Sequence, residues 1–206
     1  CFLSSFYRSA NAGLAKDLSQ ELGLGPAELG FMTSLFYLAF AAAQLPLGGL
    51  LDRVGPRAVT PALLLVAALG SVVFGLAQSF AVLALGRALI GVGMAAALMG
   101  PMRAFSLWFP RNYATVSTLL VGLGATGGLM AATPLALLKE ALGWRGVFLL
   151  GAFVVALVAL ALYLGVRNTP PGVAWPGGQR GNGLGEVFRN GRLLRVAFLA
   201  FAFAGS

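Results

Sequence analysis

Long apolar runs separated by short polar or Gly/Pro-rich joints make up nearly the whole chain. The runs cover residues 1–18, 28–51, 58–78, 80–105, 113–138 and 144–166, and a further one opens near residue 193. A helix crossing the hydrocarbon of a bilayer needs ~20 mostly apolar residues. The pattern therefore predicts six membrane-spanning helices and the start of a seventh. No segment shows the short apolar/polar alternation of a transmembrane barrel. The predicted fold is all-α, a polytopic membrane protein. The joints carry the breakers expected at helix ends: Gly23, Gly25 and Pro26; Gly55 and Pro56; Pro110; and Gly143.

Composition agrees with this pattern and removes other classes. Of 206 residues, 59% are hydrophobic and 10% charged, against roughly 25% charged in a soluble domain. The 29 glycines suit close helix contact in lipid. There is no histidine and a single cysteine, Cys1. Histidine metal sites, Ser-His-Asp triads and internal disulfides are thereby excluded. No catalytic residue, metal site or cofactor is expected, and the chain is not read as an enzyme.

The net charge of +8 is scattered between apolar runs and does not describe a nucleic-acid surface. It does orient the spans. Arg53, Arg57, Arg103, Arg111, Arg167, Arg180, Arg189, Arg192 and Arg195 fall on one side, against Lys16, Lys139 and Arg145 on the other. The arginine-rich side is expected to be cytoplasmic. Both ends of the chain lie in apolar runs, so a longer protein is expected around it.

The most specific stretch is Gly48-Gly-Leu-Leu-Asp-Arg-Val-Gly-Pro-Arg57, after the second span. It resembles the G-x-L-x-D-R-x-G-x-R/K loop of the major facilitator superfamily, with Gly48, Leu50, Asp52, Arg53, Gly55 and Arg57 in register. Arg87-Ala-Leu-Ile-Gly-Val-Gly93 looks like that family's R-x-x-x-G-x-G in the fourth helix. Trp108-Phe-Pro110 and Gly143-Trp-Arg-Gly-Val-Phe148 look like its W-F-P and G-W-R-x-x-F. The resemblance implies a six-helix transporter bundle over residues 1–166, a cytoplasmic linker at 167–192 and a seventh helix from 193. A second, C-terminal bundle would then be its partner. In the family the Gly48–Arg57 cluster is a gating latch. Asp52 at a helix C-terminus opposes the macrodipole, so a compensating group is expected, Arg57 or a helix N-terminus of the other half.

Charged and polar residues inside spans are functional candidates by default. Tyr7, Arg8 and Asn11 in the first span are read as a set able to coordinate an anionic group, with snorkelling of Arg8 to the surface as the alternative. Tyr37 and Gln44, seven residues apart, share a face of the second span that lines a cavity; a packing bond beside Pro46 is the other reading of Gln44. Arg87 serves coupling or packing, and Arg103 is an inner-surface charge or a cavity residue. Gly122, Gly124, Gly127 and Gly128 form a small-residue stripe for packing or bending.

The function expected from the resemblance is secondary transport of a small solute, an organic anion among the candidates, by alternating access. Symport and antiport are both open. The alternative is a non-transporting receptor or scaffold of the same fold. The expected partners are the solute, the bilayer and the C-terminal bundle, with no nucleic acid. The expected location is a cell membrane, that of the bacterial inner membrane.

Overall fold

The computed structural model describes residue 7 and residues 18–21 and 23–169; the side chains of residues 127–136 are not described. All of these residues lie in one compact unit, Cys1–Trp175. Arg8, Asn11, residues 170–192 of the expected linker and the seventh run lie outside the described residues. Among the described residues there is no strand, and four helices are long and apolar enough to cross a membrane. The chain is an all-α, multi-pass membrane protein.

Helix α1 spans Pro26–Val54, the second predicted span. Pro26 at its first position has the fixed φ that starts a helix and no N–H to leave unpaired. The Glu28 carboxylate accepts the Gly25 N–H at 2.8 Å, which satisfies one of the orphan donors of the helix start. Helix α2, Pro56–Gly75, begins one residue after α1 ends. Gly55 makes that reversal at φ +93° while its N–H caps the Leu51 carbonyl at 3.0 Å. Such a backbone is open to glycine and strained for any side chain.

The fourth span is one 29-residue apolar stretch, Phe80–Trp108, in two pieces. Helix α3 covers Phe80–Met94 and α4 covers Ala96–Trp108. At the join the Ala95 N–H bonds Val92 at 3.2 Å, a tightened turn. Helix α5, Tyr113–Gly165, contains the fifth and sixth spans and is interrupted only at Gly143, at φ +69°. The joint expected over residues 139–143 thus shrinks to a single residue, because glycine alone absorbs the break. The third span also ends earlier than expected, at Gly75 instead of residue 78.

Helix α2 is the centre of the unit and packs mainly on α3 and α5, while α3 also packs on α1. Its buried face runs Val59, Thr60, Leu64, Ala67, Ala68, Ser71, Phe74, Gly75, the helical spacing of one apolar stripe. By contrast α1 buries only Met32, Phe36, Leu47 and Leu51. Leu38, Leu45, Leu65, Leu69, Phe153 and Leu164 are exposed. A monomer in water rarely shows so much apolar surface; such a surface suits apolar surroundings.

The R-x-x-x-G-x-G spacing of α3 has a direct packing cause. A Cβ on Gly91 would stand 2.5 Å from the Phe36 carbonyl of α1, and one on Gly93 would stand 2.4 Å from the Ala67 nitrogen of α2. Two residues apart on a helix point to opposite sides, so these glycines let two neighbours approach the same backbone.

Candidate functional site

The unit carries polar organisation at three levels: its basic end, its middle and its opposite end. At the basic end, the reversal after α1 is tied to two other helices. Asp52 pairs with Arg103 Nε, from α4, at 3.0 Å. Among the described residues the charge paired with Asp52 is therefore Arg103 and not the expected Arg57. Arg57 instead donates its backbone N–H to Asn168 Oδ1 at 2.9 Å and its Nε to the Tyr163 carbonyl at 3.3 Å. Its guanidinium lies 5.7 Å from the centre of the Tyr163 ring. The Asn168 side chain sits over Gly55, at 2.6 Å from where a Cβ would be. Arg53 is exposed. The Gly48–Arg57 segment is thus a joint that holds the basic ends of α1, α2, α4 and α5 together. Sequence reasoning missed Asn168 and Tyr163, which no motif marks; the only cue for Arg103 was its place at the same end as Asp52.

In the middle, Arg87 is fully buried, at 1% exposure. Its Nη1 donates to the Tyr7 carbonyl at 3.2 Å. The guanidinium lies 4.6 Å from the Phe74 ring centre and 5.4 Å from that of Phe148. Cation–π contacts of this kind gain strength when desolvated. Tyr7 is equally buried, its ring 5.8 Å from Phe148. Its hydroxyl is 2.8 Å from Ser71 Oγ, which in turn donates to the Ala67 carbonyl at 2.8 Å. Ser71 has one proton, so with that proton on Ala67 the phenol supplies the one between the two hydroxyls. Gly151 of α5 opposes the same hydroxyl, where a Cβ would stand 2.6 Å away. Of the expected first-span set, Tyr7 is therefore placed with Arg87 inside the unit, and Arg8 and Asn11 fall outside the described residues. The Arg87 geometry is that of a residue packing the first span against the third, fourth and sixth.

Tyr37 and Gln44 lie along α1, Tyr37 exposed and Gln44 half-buried. Gly48 is exposed, with open space where a Cβ would be. Tyr37 packs edge-on to Phe36 at 5.3 Å.

The opposite end holds a cluster that sequence reasoning did not assemble. Glu21, at the end of the first span, accepts from Trp144 Nε1 and from Arg145 Nη1. Arg145 Nη2 also donates to the Ala77 carbonyl at 3.0 Å, beyond the end of α2. The guanidinium stacks 4.4 Å from the Trp144 ring centre. The W-R pair of the G-W-R-x-x-F stretch is thus a clamp on an acid from the first span. The usable cue was that Glu21 and Arg145 belong to the same, charge-poor side.

The Trp144 indole first, and then Arg145, hold the Glu21 carboxyl below its ordinary value of 4.5. A depressed acid contributes stability that is present above its unfolded pKa and lost as pH falls through the folded one. Glu21→Gln should therefore lower the thermal midpoint of the purified protein at pH 7. The gap to the wild type should shrink as pH drops below 4.5. A gap that stays constant down to pH ~3 would show that the clamp is not electrostatic.

Comparison with known proteins fits this geometry. The sequence matches the Major Facilitator Superfamily across residues 1–206. It is 32% identical over 154 residues to the "Probable L-galactonate transporter" of Escherichia coli strain K12, covering 73% of this chain and 34% of that one. It is 30% identical over 187 residues to a nitrate/nitrite transporter of Picosynechococcus sp., covering 77% and 35%. With the "Probable sulfoacetate transporter" of Cupriavidus necator it shares 32% over 139 residues, covering 66% and 32%. The chain spans about a third of the length of these relatives. In fold it matches the crystal structure of a bacterial homolog to the human lysosomal transporter Spinster, in an inward-facing, unoccupied conformation. That match has a TM-score of 0.73 and 22% identity, covering 87% of this chain and 43% of the other. With the family matched over its whole length, its motifs in order and its fold reproduced, the chain belongs to the major facilitator superfamily.

Proposed function

We propose that this chain is the first-bundle part of a secondary transporter that moves a small anionic solute across a bacterial inner membrane by alternating access. The observation that carries the reading is the joint at the basic end. The ties there use side chains near the surface: an exposed Asp52 meets a half-buried Arg103, and the Asn168 side chain meets the Arg57 N–H in an exposed contact, so a rocking bundle can make and break them at modest cost. The buried ties of the middle and the packing at Gly91 and Gly93 keep the unit itself rigid. Such a division suits two bundles that rock about a midplane site. The basic end faces the cytoplasm, following the arginine asymmetry.

The solute class rests on two supports. The charges away from the ends of the apolar runs are arginines, Arg8 and Arg87, with Lys16, Asp17, Glu28, Arg103 and Arg145 near run ends, and the named relatives are transporters of galactonate, nitrate/nitrite and sulfoacetate, all anions. Arg87 contacts Tyr7, Phe74 and Phe148, so we assign the anion contact to Arg8, with Asn11, Tyr37 and Gln44 as further candidate ligands and Tyr7 beside Arg87.

The test is exchange of labelled galactonate, nitrate or sulfoacetate across proteoliposomes holding the full-length protein. Exchange of at least one anion is expected. Binding without exchange would point to a receptor of the same fold and sink the transport reading. Arg8→Ala should weaken the exchanged anion's half-saturation roughly tenfold or more, the size of a lost hydrogen bond to a charged group. Unchanged half-saturation would remove Arg8 from the site.

A further inference from the structure

The basic end contains an apolar recess that neither the joint nor the proposed solute path uses. An inner chamber of about 300 Å³ is walled by Pro101, Leu120 and Leu162, among others. An outer cleft of about 480 Å³ lies against Trp108, Phe109 and Arg167. The two share Ala104, Phe105 and Val166, so they form one recess between the inner ends of α4 and α5. The inner chamber has room for a chain of on the order of ten water-sized groups. Thr60 is its one polar side-chain lining.

Charge and placement identify what fits. Among the described residues at this end, Arg53, Arg57, Arg103, Arg111 and Arg167 stand against Asp52 alone, which Arg103 already engages. Arg167 is exposed at the mouth of the cleft, and Arg111 follows two residues after Phe109 of its rim. Trp108 and Phe109 are 37% and 46% exposed. Exposed aromatic residues at a span end mark the depth of lipid headgroups. A free phosphate would use the arginine and leave the apolar chamber empty, whereas a neutral lipid would use the chamber and gain nothing from the charge. The cytoplasmic leaflet is anionic, and basic pockets between spans on that side hold anionic headgroups.

We propose that this recess binds one anionic phospholipid of the cytoplasmic leaflet, its phosphate at Arg167 and one acyl chain in the chamber behind Phe105. The proposal rests on the basic end facing the cytoplasm and is independent of which solute is carried.

The test uses full-length protein in phosphatidylcholine vesicles containing either phosphatidylglycerol or phosphatidylcholine with brominated acyl chains. Bromine quenches tryptophan only at short range, and subtracting the Trp108→Phe variant isolates the Trp108 emission. Brominated phosphatidylglycerol should quench Trp108 at a mole fraction roughly fivefold lower than brominated phosphatidylcholine, the preference expected of one arginine near the surface. Arg167→Gln, an exposed change whose folding is checked by its melting midpoint, should abolish that preference. Ala104→Phe, which fills the shared wall, should weaken quenching by both lipids. Equal quenching by the two lipids, or a preference that survives Arg167→Gln, overturns the proposal. Abolition of the preference by millimolar inorganic phosphate would assign the site to a soluble anion and overturn it too. Absence of Trp108 quenching by either lipid, as when another segment of the protein fills the cleft, has the same consequence.

Discussion

Gly93→Ala should destabilise the unit by about 3 kcal/mol, the upper range for overpacking a well-packed site. The added methyl would stand 2.4 Å from the Ala67 nitrogen and 2.5 Å from its Cβ. Neither neighbour is the end of a flexible side chain, so relief requires α2 and α3 to separate along their length. Separation would also loosen Ile90 and Met94, which are fully buried in the same contact. In detergent, where lipid no longer presses the helices together, the expected result is a melting midpoint many degrees lower and a poor yield of monodisperse protein. Gly122→Ala is the matched control: it lies in open space, and the change should be neutral or slightly stabilising through helix propensity. Similar midpoints for Gly93→Ala and Gly122→Ala would show that α2 and α3 are not in such close contact.

The second large effect is expected at Gly55. Alanine there meets two separate penalties. The backbone at φ +93° and ψ 157° lies outside the regions open to L residues, a strain of about 1–3 kcal/mol. The new Cβ would also meet the Asn168 side chain at 2.6 Å and push it off the Arg57 N–H. The two parts can be separated. Asn168→Ala alone removes the hydrogen bond, and the pair of changes together keeps the backbone strain and the lost bond but removes the clash. If Gly55→Ala and the double variant melt alike, the clash adds little and strain dominates; if the double variant regains much of the loss, the clash with Asn168 does. If the joint at the basic end opens during transport, as proposed, the first sign should be functional. Gly55→Ala should therefore shift the accessibility of a cysteine probe at the basic end under conditions where the melting curve still shows a folded protein. A variant that melts and labels like the wild type would remove Gly55 from the joint.

Much of the fold was legible because a bilayer allows few backbones. Hydropathy placed α1 to within about three residues at each end, since every backbone group in lipid must be paired within its own helix. The misjudged joints were those where the polar stretch was not the turn. Residues 139–142 are helical, because Lys139 and Glu140 are compatible with a helix that has reached the interface, and Gly143 alone makes the break. The site was less legible. Asp52 was marked by its motif, but its partner Arg103 lies 51 positions away in a different span, and nothing local in sequence couples them. Tyr7 was read with Arg8 and Asn11 as a set for an anionic group; its burial against Ser71 and Gly151 depends on the packing of three spans, which no local pattern records. Arg87 shows the same limit. A buried arginine reads alike whether its guanidinium meets a solute or two phenylalanine rings and a carbonyl, and only the placement of Phe74 and Phe148 distinguishes the two.

The ties that hold the first span also have an order in time. The Tyr7 hydroxyl meets Ser71, 64 residues later; the Tyr7 carbonyl meets Arg87, 80 residues later; Glu21 meets Trp144 and Arg145, 123 and 124 residues later. A ribosome delivers these partners one after another, so the first span enters the bilayer with its polar groups waiting and is secured in stages. The acid at its far end stays unanchored until the sixth span emerges. A break in synthesis before that point would leave a chain in which the Tyr7 contacts can form and the Glu21 clamp cannot.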